Sequence, residues 1–569
     1  MKENLDHAAD GLEFDLIGSR QLLLALGVGA VPAILAWLLD EKALQTWDIP
    51  VAAAILFFGV LLALRAQPKP LASFPWKFAF LIALVPPAVA MFGLDGPVTN
   101  DERAYVFQAE LMADGAMAEP LAHAKVETDI EEVFLLDSFR RRQVHEDLET
   151  DRRFSKYAPG TSMALVPGVL LGNPLISTLL AAMLDLWLIL LIAKRLGLRT
   201  PGVAVLLLGT SPFFLLMHTS MQSEVFTLPA VMFGYLALLH LRDGSARWAL
   251  AVGAAAGWVF LSRPLTGLAC ALICGLMLAM QKQRFKTLPL AVVGGLPFLA
   301  LVMWWNDYYS GDFFKPVYAM YAEKYGPWFL GAEKIPQDVY GNGDFFVGLL
   351  RQSGRWAVAM GGMLGAAGLA FWGTWRLRKR DGGAAILFAI VLPLVYALHW
   401  YAGHRAYLGP LYAAESLAFL CIGLLLLMEQ APVAWRRGLL LAMVSTGGVV
   451  FTIRWDLIQT ESFERSAPQR VVQAEAPPDA GAVVFLPLKY KGSKALGFKY
   501  WTPSLPSALD SSAPVILRSN QRMTPQRLVQ WLGLEGRPLY GFVPAEETPL
   551  GGYLQPLNFN SEPQPPRQN

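Results

Sequence analysis

A carboxylate, a phenol and an amide recur at helical spacing in Thr99-Asn100-Asp101-Glu102-Arg103-Ala104-Tyr105-Val106-Phe107-Gln108. Read as a helix, this stretch places Asp101, Tyr105 and Gln108 at i, i+4 and i+7, on one face. A carboxylate so placed can take a proton from a hydroxyl or an amine. The phenol and the amide can orient a polar partner beside it. The stretch also carries a structural signature. Thr99-x-x-Glu102 is a capping box, and acidic residues suit a helix N-terminus. The two readings are compatible, with Glu102 capping and Asp101 working.

Four further stretches hold polar groups among apolar ones. Lys156-Tyr157-Ala158-Pro159-Gly160-Thr161 precedes the apolar run 162–172, which is too short to cross a membrane and stops at Asn173-Pro174. A lysine there can meet a lipid phosphate or snorkel to the interface. His218-Thr219-Ser220-Met221-Gln222-Ser223-Glu224 ends in an acid that opens an apolar helix, where function and N-capping account for it equally well. Arg263 stands between two apolar runs, and His404-Arg405-Ala406-Tyr407-Leu408-Gly409-Pro410 forms the last stretch. An arginine forks onto phosphate oxygens. Headgroup contact or pairing with an acid explains both arginines as well.

Other chemistries find no support in the sequence. No Gly-rich loop ending in Lys-Ser/Thr cradles a nucleotide phosphate. No His-Glu-x-x-His or comparable spacing indicates a divalent metal, which the sequence leaves open, and no other cofactor is called for. The formal net charge of +2 leaves no nucleic-acid footprint. Cys270, Cys274 and Cys421 all lie in apolar runs and read as small apolar residues, not as a disulfide framework.

The elements that must position these groups are membrane spans. The 569 residues are 54% hydrophobic and 16% charged, below the roughly 25% charge of soluble domains. Apolar runs of about 20 residues match the hydrocarbon thickness. They are continuous and do not alternate, which favours helices over barrel strands. Spans are expected near 21–39, 50–65, 75–93, 174–193, 201–217, 225–241, 248–262, 264–280, 287–305, 355–375, 384–402, 407–428 and 438–453, about 13 in all. Residues 1–19 lack a basic n-region, so the first span is expected to stay as an anchor. No internal repeat is visible, which disfavours transporters built on inverted repeats.

Basic clusters orient the spans. Arg65, Lys69 and Lys77; Lys194, Arg195 and Arg199; Arg242 and Arg247; Lys282, Arg284 and Lys286; Arg376, Arg378, Lys379 and Arg380; and Arg436 and Arg437 fall on one side when 13 spans are counted from an inside N-terminus. Outside then lie the loops 94–160 and 306–354 and the C-terminal region.

Four segments result. Residues 1–74 form an N-terminal tail with two accessory spans, and 75–453 a transmembrane catalytic domain. Residues 454–556 form a small extramembrane α/β module, with strands expected at 483–486, 515–517 and 539–543 and a helix at 524–534 capped by Thr524. Residues 557–569 are a Pro- and Gln-rich tail expected to be disordered. This topology gathers Asp101, Lys156, Glu224, Arg263, His404 and Arg405 at the outer interface. A carboxylate among cations there suits an anionic lipid head and an acceptor that needs a base.

These motifs resemble the GT-C superfamily of polytopic glycosyltransferases, particularly its protein O-mannosyltransferase and aminoarabinose-transferase branch. Asn100-Asp101-Glu102 with Tyr105 and Gln108 looks like that family's acidic first outer loop. Lys156-Tyr157-Ala158-Pro159-Gly160 looks like its Pro-Pro-Gly stretch, with Ala158 for the first proline. His404 to Pro410 looks like the Arg-Tyr-Leu-x-Pro segment of bacterial members, with Ala406 inserted. Arg263 matches a basic residue after a middle span. The resemblance covers about residues 75–453.

It implies an all-α polytopic transmembrane bundle in a bacterial inner membrane, with the C-terminal region periplasmic. It further implies a polyprenyl-phosphate-linked sugar donor, inversion, and a lipid, glycan or protein acceptor. Asp101 would be the general base, with Glu102 or Glu224 assisting. Lys156, Arg263 or Arg405 would hold the leaving phosphate, and Tyr105, Gln108, Tyr157, His404 and Tyr407 would line the substrate site. Rival readings are an O-antigen ligase or polymerase acting on a pyrophosphate-linked glycan, a lipid or polysaccharide transporter, and a non-enzymatic scaffold. A transporter would need charge at mid-depth, where Asp185 is the main candidate.

Overall fold

The computed structural model describes residues 76–120, 144–147, 150, 152–325, 366–396, 404–405, 409–476, 481–486, 514–518, 526, 529–530, 534–545 and 548–557. The expected spans at 21–39 and 50–65, Tyr407, most of the helix expected at 524–534 and the tail after 557 lie outside the described residues. Packing divides the chain into two compact units. One comprises Met1–Phe92 and Tyr157–Asp456, the other Gly93–Lys156 and Leu457–Asn569.

The first unit is helical. It contains α1 (Trp76–Gly93, to Phe92), then α3 (Gly160–Leu170), α4 (Leu175–Arg195), α5 (Pro201–Gly209), α6 (Pro212–Met217), α7 (Ser223–Leu241), α8 (Trp248–Ser262) and α9 (Pro264–Ala279). It continues with α10 (Arg284–Ser310), α11 (Val317–Tyr325), α12 (Ala366–Asp381), α13 (Ala384–Val395), the β4–β5 bridge (His404–Arg405 with Gly409–Pro410), α14 (Leu417–Gln430) and the first half of α15 (Val433–Glu475). Among the described residues α1, α4, α7, α10 and α15 are long and apolar enough to cross a membrane. The apolar helices α3, α8, α9 and α13 are shorter.

One sequence expectation changes, and one helix proves longer than its span. The run 201–217 is two helices, not one. Ser211 is extended ahead of Pro212, as a residue before proline prefers, and Pro212 then starts α6. The helix that carries the last expected span continues beyond 453. Helix α15 runs to Glu475, and its C-terminal half is polar.

Close backbone approach holds the bundle. A Cβ on Gly253 of α8 would stand 1.8 Å from the Ala291 carbonyl oxygen of α10, and one on Gly294 would stand 2.1 Å from the Leu250 oxygen. Only glycine permits that crossing, as is common where van der Waals contact drives helix association in lipid. At the helix ends the basic loop residues take up orphan carbonyls. Arg195 donates to the Leu239 oxygen at 3.1 Å and pairs with Asp243. Arg380 donates to the Leu196 oxygen at 2.8 Å, and Arg436 to the Glu429 and Ala431 oxygens at 2.6 and 2.7 Å. These arginines thus stitch neighbouring helix ends together.

The second unit joins sequence-distant parts. Helix α2 (Asn100–Ala113) precedes an antiparallel sheet of β1 (Glu119–Pro120), β3 (Arg152–Ser155) and β2 (Val144–Asp147) in the order β1-β3-β2. A second sheet has the order β7-β6-β8-β9. Its strands are β6 (Val483–Leu486), β7 (Val515–Arg518), β8 (Leu539–Pro544) and β9 (Gly552–Pro556). Strand β6 runs parallel to β7 and β8, and β9 is antiparallel to β8. Ala467, Val471 and Val472 on the C-terminal half of α15 pack with Val484, Leu486, Ile516 and Phe542. Division by packing therefore groups the loop 93–156 with the C-terminal region, whereas sequence order alone assigns it to the spans.

Candidate active site

In the second unit the first turn of α2 is closed by side chains. Thr99 is extended, and its hydroxyl accepts from Glu102 N–H at 3.1 Å. The Glu102 carboxylate reaches back to Val98 N–H at 3.1 Å and is fully buried. Glu102 therefore spends its carboxylate on the cap. Asp101, half-buried one residue earlier, is held in place by that cap.

Gln108 spans from α2 to the sheet. Its amide NH2 donates to the Met117 oxygen at 2.7 Å, and its oxygen accepts from Ser155 N–H at 2.9 Å. Arg153 of β3 pairs with Glu119 of β1 and lies over the Phe107 ring of α2. These contacts seat β3 against α2, and β3 delivers Lys156. The lysine is 3% exposed. Burial pushes its ammonium down to about 7, and the Asp101 carboxylate pulls the other way. Tyr105 is buried on the same helix.

In the first unit a second polar cluster forms around Arg263. Its Nη1 lies 3.0 Å from Glu224 and 3.0 Å from Glu415. Thr227 donates to the same Glu415 oxygen at 2.8 Å. The guanidinium covers the Tyr396 ring at 5.3 Å, and the Tyr396 hydroxyl meets Thr266 at 2.6 Å. All three charged residues are buried, so the desolvation of the arginine is offset by two carboxylates. Glu415 is absent from the sequence reading, although an acid inside the apolar run 407–428 was the available signal.

Other expected residues fall as follows. Tyr157 opens the first unit, with its ring 6.4 Å from that of Tyr318. Gly160 fits against the end of α8, where a Cβ would stand 2.3 Å from Ser262 Oγ and 2.9 Å from the Leu261 carbonyl carbon. His404 and Arg405 form the short strand β4. Asp185 is buried in α4, and its Oδ2 lies 3.0 Å from His218 Nε2. His218 Nδ1 donates to the Phe214 oxygen at 2.9 Å, which fixes a proton on that nitrogen. Among the described residues no group of three His, Cys, Asp or Glu side chains is placed to hold a metal ion.

Residues 163–305 match the family model of dolichyl-phosphate-mannose-protein mannosyltransferases. No curated protein matches the chain in sequence. Among solved structures, ArnT from Cupriavidus metallidurans bound to undecaprenyl phosphate is 15% identical with a TM-score of 0.49, covering 84% of this chain and 94% of that one. Its apo state gives 15% and 0.48, covering 83% and 93%. The archaeal oligosaccharyltransferase AglB from Archaeoglobus fulgidus, in complex with an inhibitory peptide and a dolichol-phosphate, gives 10% and 0.37, covering 71% and 58%. These structural likenesses are slight, and the family match is what bears on function. That match makes residues 163–305 similar to the dolichyl-phosphate-mannose-protein mannosyltransferases.

Proposed function

We propose that the chain moves a sugar from a polyprenyl-monophosphate donor to a lipid, glycan or protein acceptor on the periplasmic face of a bacterial inner membrane. The observation that carries this reading is that the Gln108–Ser155 hydrogen bond seats the helix of Asp101 against the strand that leads into the buried Lys156, where the Asp101 carboxylate acts on the lysine's charge. The matched family acts, by its description, with a lipid monophosphate carrying mannose.

In the proposed step Asp101 takes the proton of the acceptor hydroxyl or amine. The acceptor atom bonds to the anomeric carbon as that carbon's bond to the phosphate oxygen breaks, with inversion. The electron pair leaves on the lipid phosphate, whose charge grows. A cation beside it stabilises the transition state more than the ground state. Lys156 suits this part better than Arg263, which two buried carboxylates already hold. Tyr105, on the helix of Asp101, is proposed to line the sugar site.

The test is to load membranes containing the chain with labelled polyprenyl-monophosphate sugars and, separately, pyrophosphate-linked glycans. Label is expected to leave only the monophosphate class. Release from the pyrophosphate class alone would favour a ligase or polymerase, and transport without release would favour a carrier.

A further inference from the structure

We propose that Ser462 and Arg470, on the C-terminal half of α15, are positioning residues for Asp101, so that the C-terminal region sets the geometry of the base. The inference rests on Asp101 acting as that base. Its physical content lies within the second unit.

The chain enters α2 through Gly93 to Val98. This short approach is gripped by one face of α15. Ser462 Oγ accepts from Gly96 N–H at 3.2 Å and donates to the Gly96 carbonyl at 3.0 Å, so one hydroxyl satisfies both backbone groups of that residue. Arg470 Nη1 donates to Asp95 Oδ2 at 2.6 Å. Gln459 Nε2 reaches the Gly93 oxygen at 3.4 Å. Ser466 stands where a Cβ on Gly96 would come within 3.2 Å of its Oγ, which leaves little room for any larger residue. Positions 459, 462, 466 and 470 follow helical spacing and share one stripe.

Arg470 is itself braced. Arg470 Nη2 reaches back to the Phe463 oxygen at 2.5 Å while the guanidinium stacks over the Phe463 ring. The same nitrogen lies 3.4 Å from the Leu550 oxygen. The neighbouring stripe of α15, with Ala467, Val471 and Val472, packs on the second sheet. The sheet thus fixes α15, α15 fixes Asp95 and Gly96, and the Thr99–Glu102 cap fixes the turn that carries Asp101. No residue of the C-terminal region need touch substrate for catalysis to depend on it.

The test uses the full chain in lipid nanodiscs, with Ser462→Ala, Arg470→Ala, Arg470→Lys and the exchange Asp95→Arg with Arg470→Asp. Hydrogen exchange of the amides of residues 98–106 reads the grip without any assumption about the reaction. It is expected to speed up in both alanine variants and to recover in Arg470→Lys and in the exchange. Where wild type transfers sugar, kcat is expected to fall about tenfold or more in the alanine variants, with donor KM within about twofold, and to recover with the exchange. Unchanged exchange at 98–106 in both alanine variants overturns the inference, as does unchanged kcat. If Arg470→Ala does not fold, Ser462→Ala, which removes one oxygen, gives the reading. If wild type transfers no sugar, the functional reading fails, while the hydrogen-exchange result still decides the grip.

Discussion

The side-chain oxygen of Gln108 accepts a hydrogen bond from Ser155 N–H at 2.9 Å, and so fixes the helix of Asp101 against the residue before Lys156. The other end of that amide holds Met117. Gln108→Leu would strand a buried N–H and a carbonyl, each costing about 1–3 kcal/mol. The variant is expected to melt earlier and to bind the donor lipid more weakly. A thermal melt and a donor-binding titration check this. Unchanged binding in a folded Gln108→Leu protein would separate the two groups.

Lys156 gives a pH dependence with a definite sign. Its ordinary value of 10.5 falls to about 7 on folding, chiefly through burial. Below about 7 both folded and unfolded chains carry the charge, and the full cost of burying it opposes folding. Between about 7 and 10.5 the folded chain releases the proton, and that cost fades as pH rises. A bound phosphate favours the ammonium, so binding takes up a proton above about 7. Donor affinity is therefore expected to fall as pH rises through about 7, by up to about tenfold per unit. Lys156→Arg, always charged, is expected to flatten this profile. A wild-type profile flat from pH 6 to 9 would remove Lys156 from the phosphate.

Arg263 is expected to matter for folding. Arg263→Met leaves Glu224 and Glu415 buried without their cation, a loss of about 3–5 kcal/mol. Adding Glu224→Gln and Glu415→Gln should recover part of it. Denaturation of the three proteins in matched detergent measures this. An Arg263→Met protein of normal stability with lost donor binding would instead make Arg263 the phosphate cation.

Asp185 offers a check on the transport rival. Its carboxylate is bonded to His218, with both side chains fully buried. Asp185→Asn keeps the shape and one polar contact, and is expected to lower Tm while sparing sugar transfer. Loss of lipid or glycan movement without loss of stability would reinstate a carrier role.

Much of this was legible in the residues. The capping box at Thr99 and Glu102 was visible because local side-chain chemistry decides it. The apolar runs were visible because bilayer thickness fixes their length. The break at Ser211-Pro212 was also written in the sequence, but continuous hydrophobicity masked it. Glu415 as partner of Arg263, and His218 as partner of Asp185, were not legible, since each pair joins elements whose neighbours are set only by packing. The C-terminal half of α15 was missed for a different reason. Its apolar stripe, Ala467, Val471 and Val472, is short and is interrupted by Arg465, Pro468 and Arg470. That polar stretch is what joins the C-terminal sheet to the Asp95–Gly96 approach.

The central claim is that Asp101 is the base in sugar transfer from a lipid monophosphate. The most direct measurement is a single-turnover assay with purified chain, labelled polyprenyl-monophosphate sugar and acceptor, comparing wild type with Asp101→Asn. The expected result is unchanged donor binding and thermal stability in the variant, with transfer reduced by about 100-fold or more. Transfer at the wild-type rate by a folded Asp101→Asn protein would contradict it.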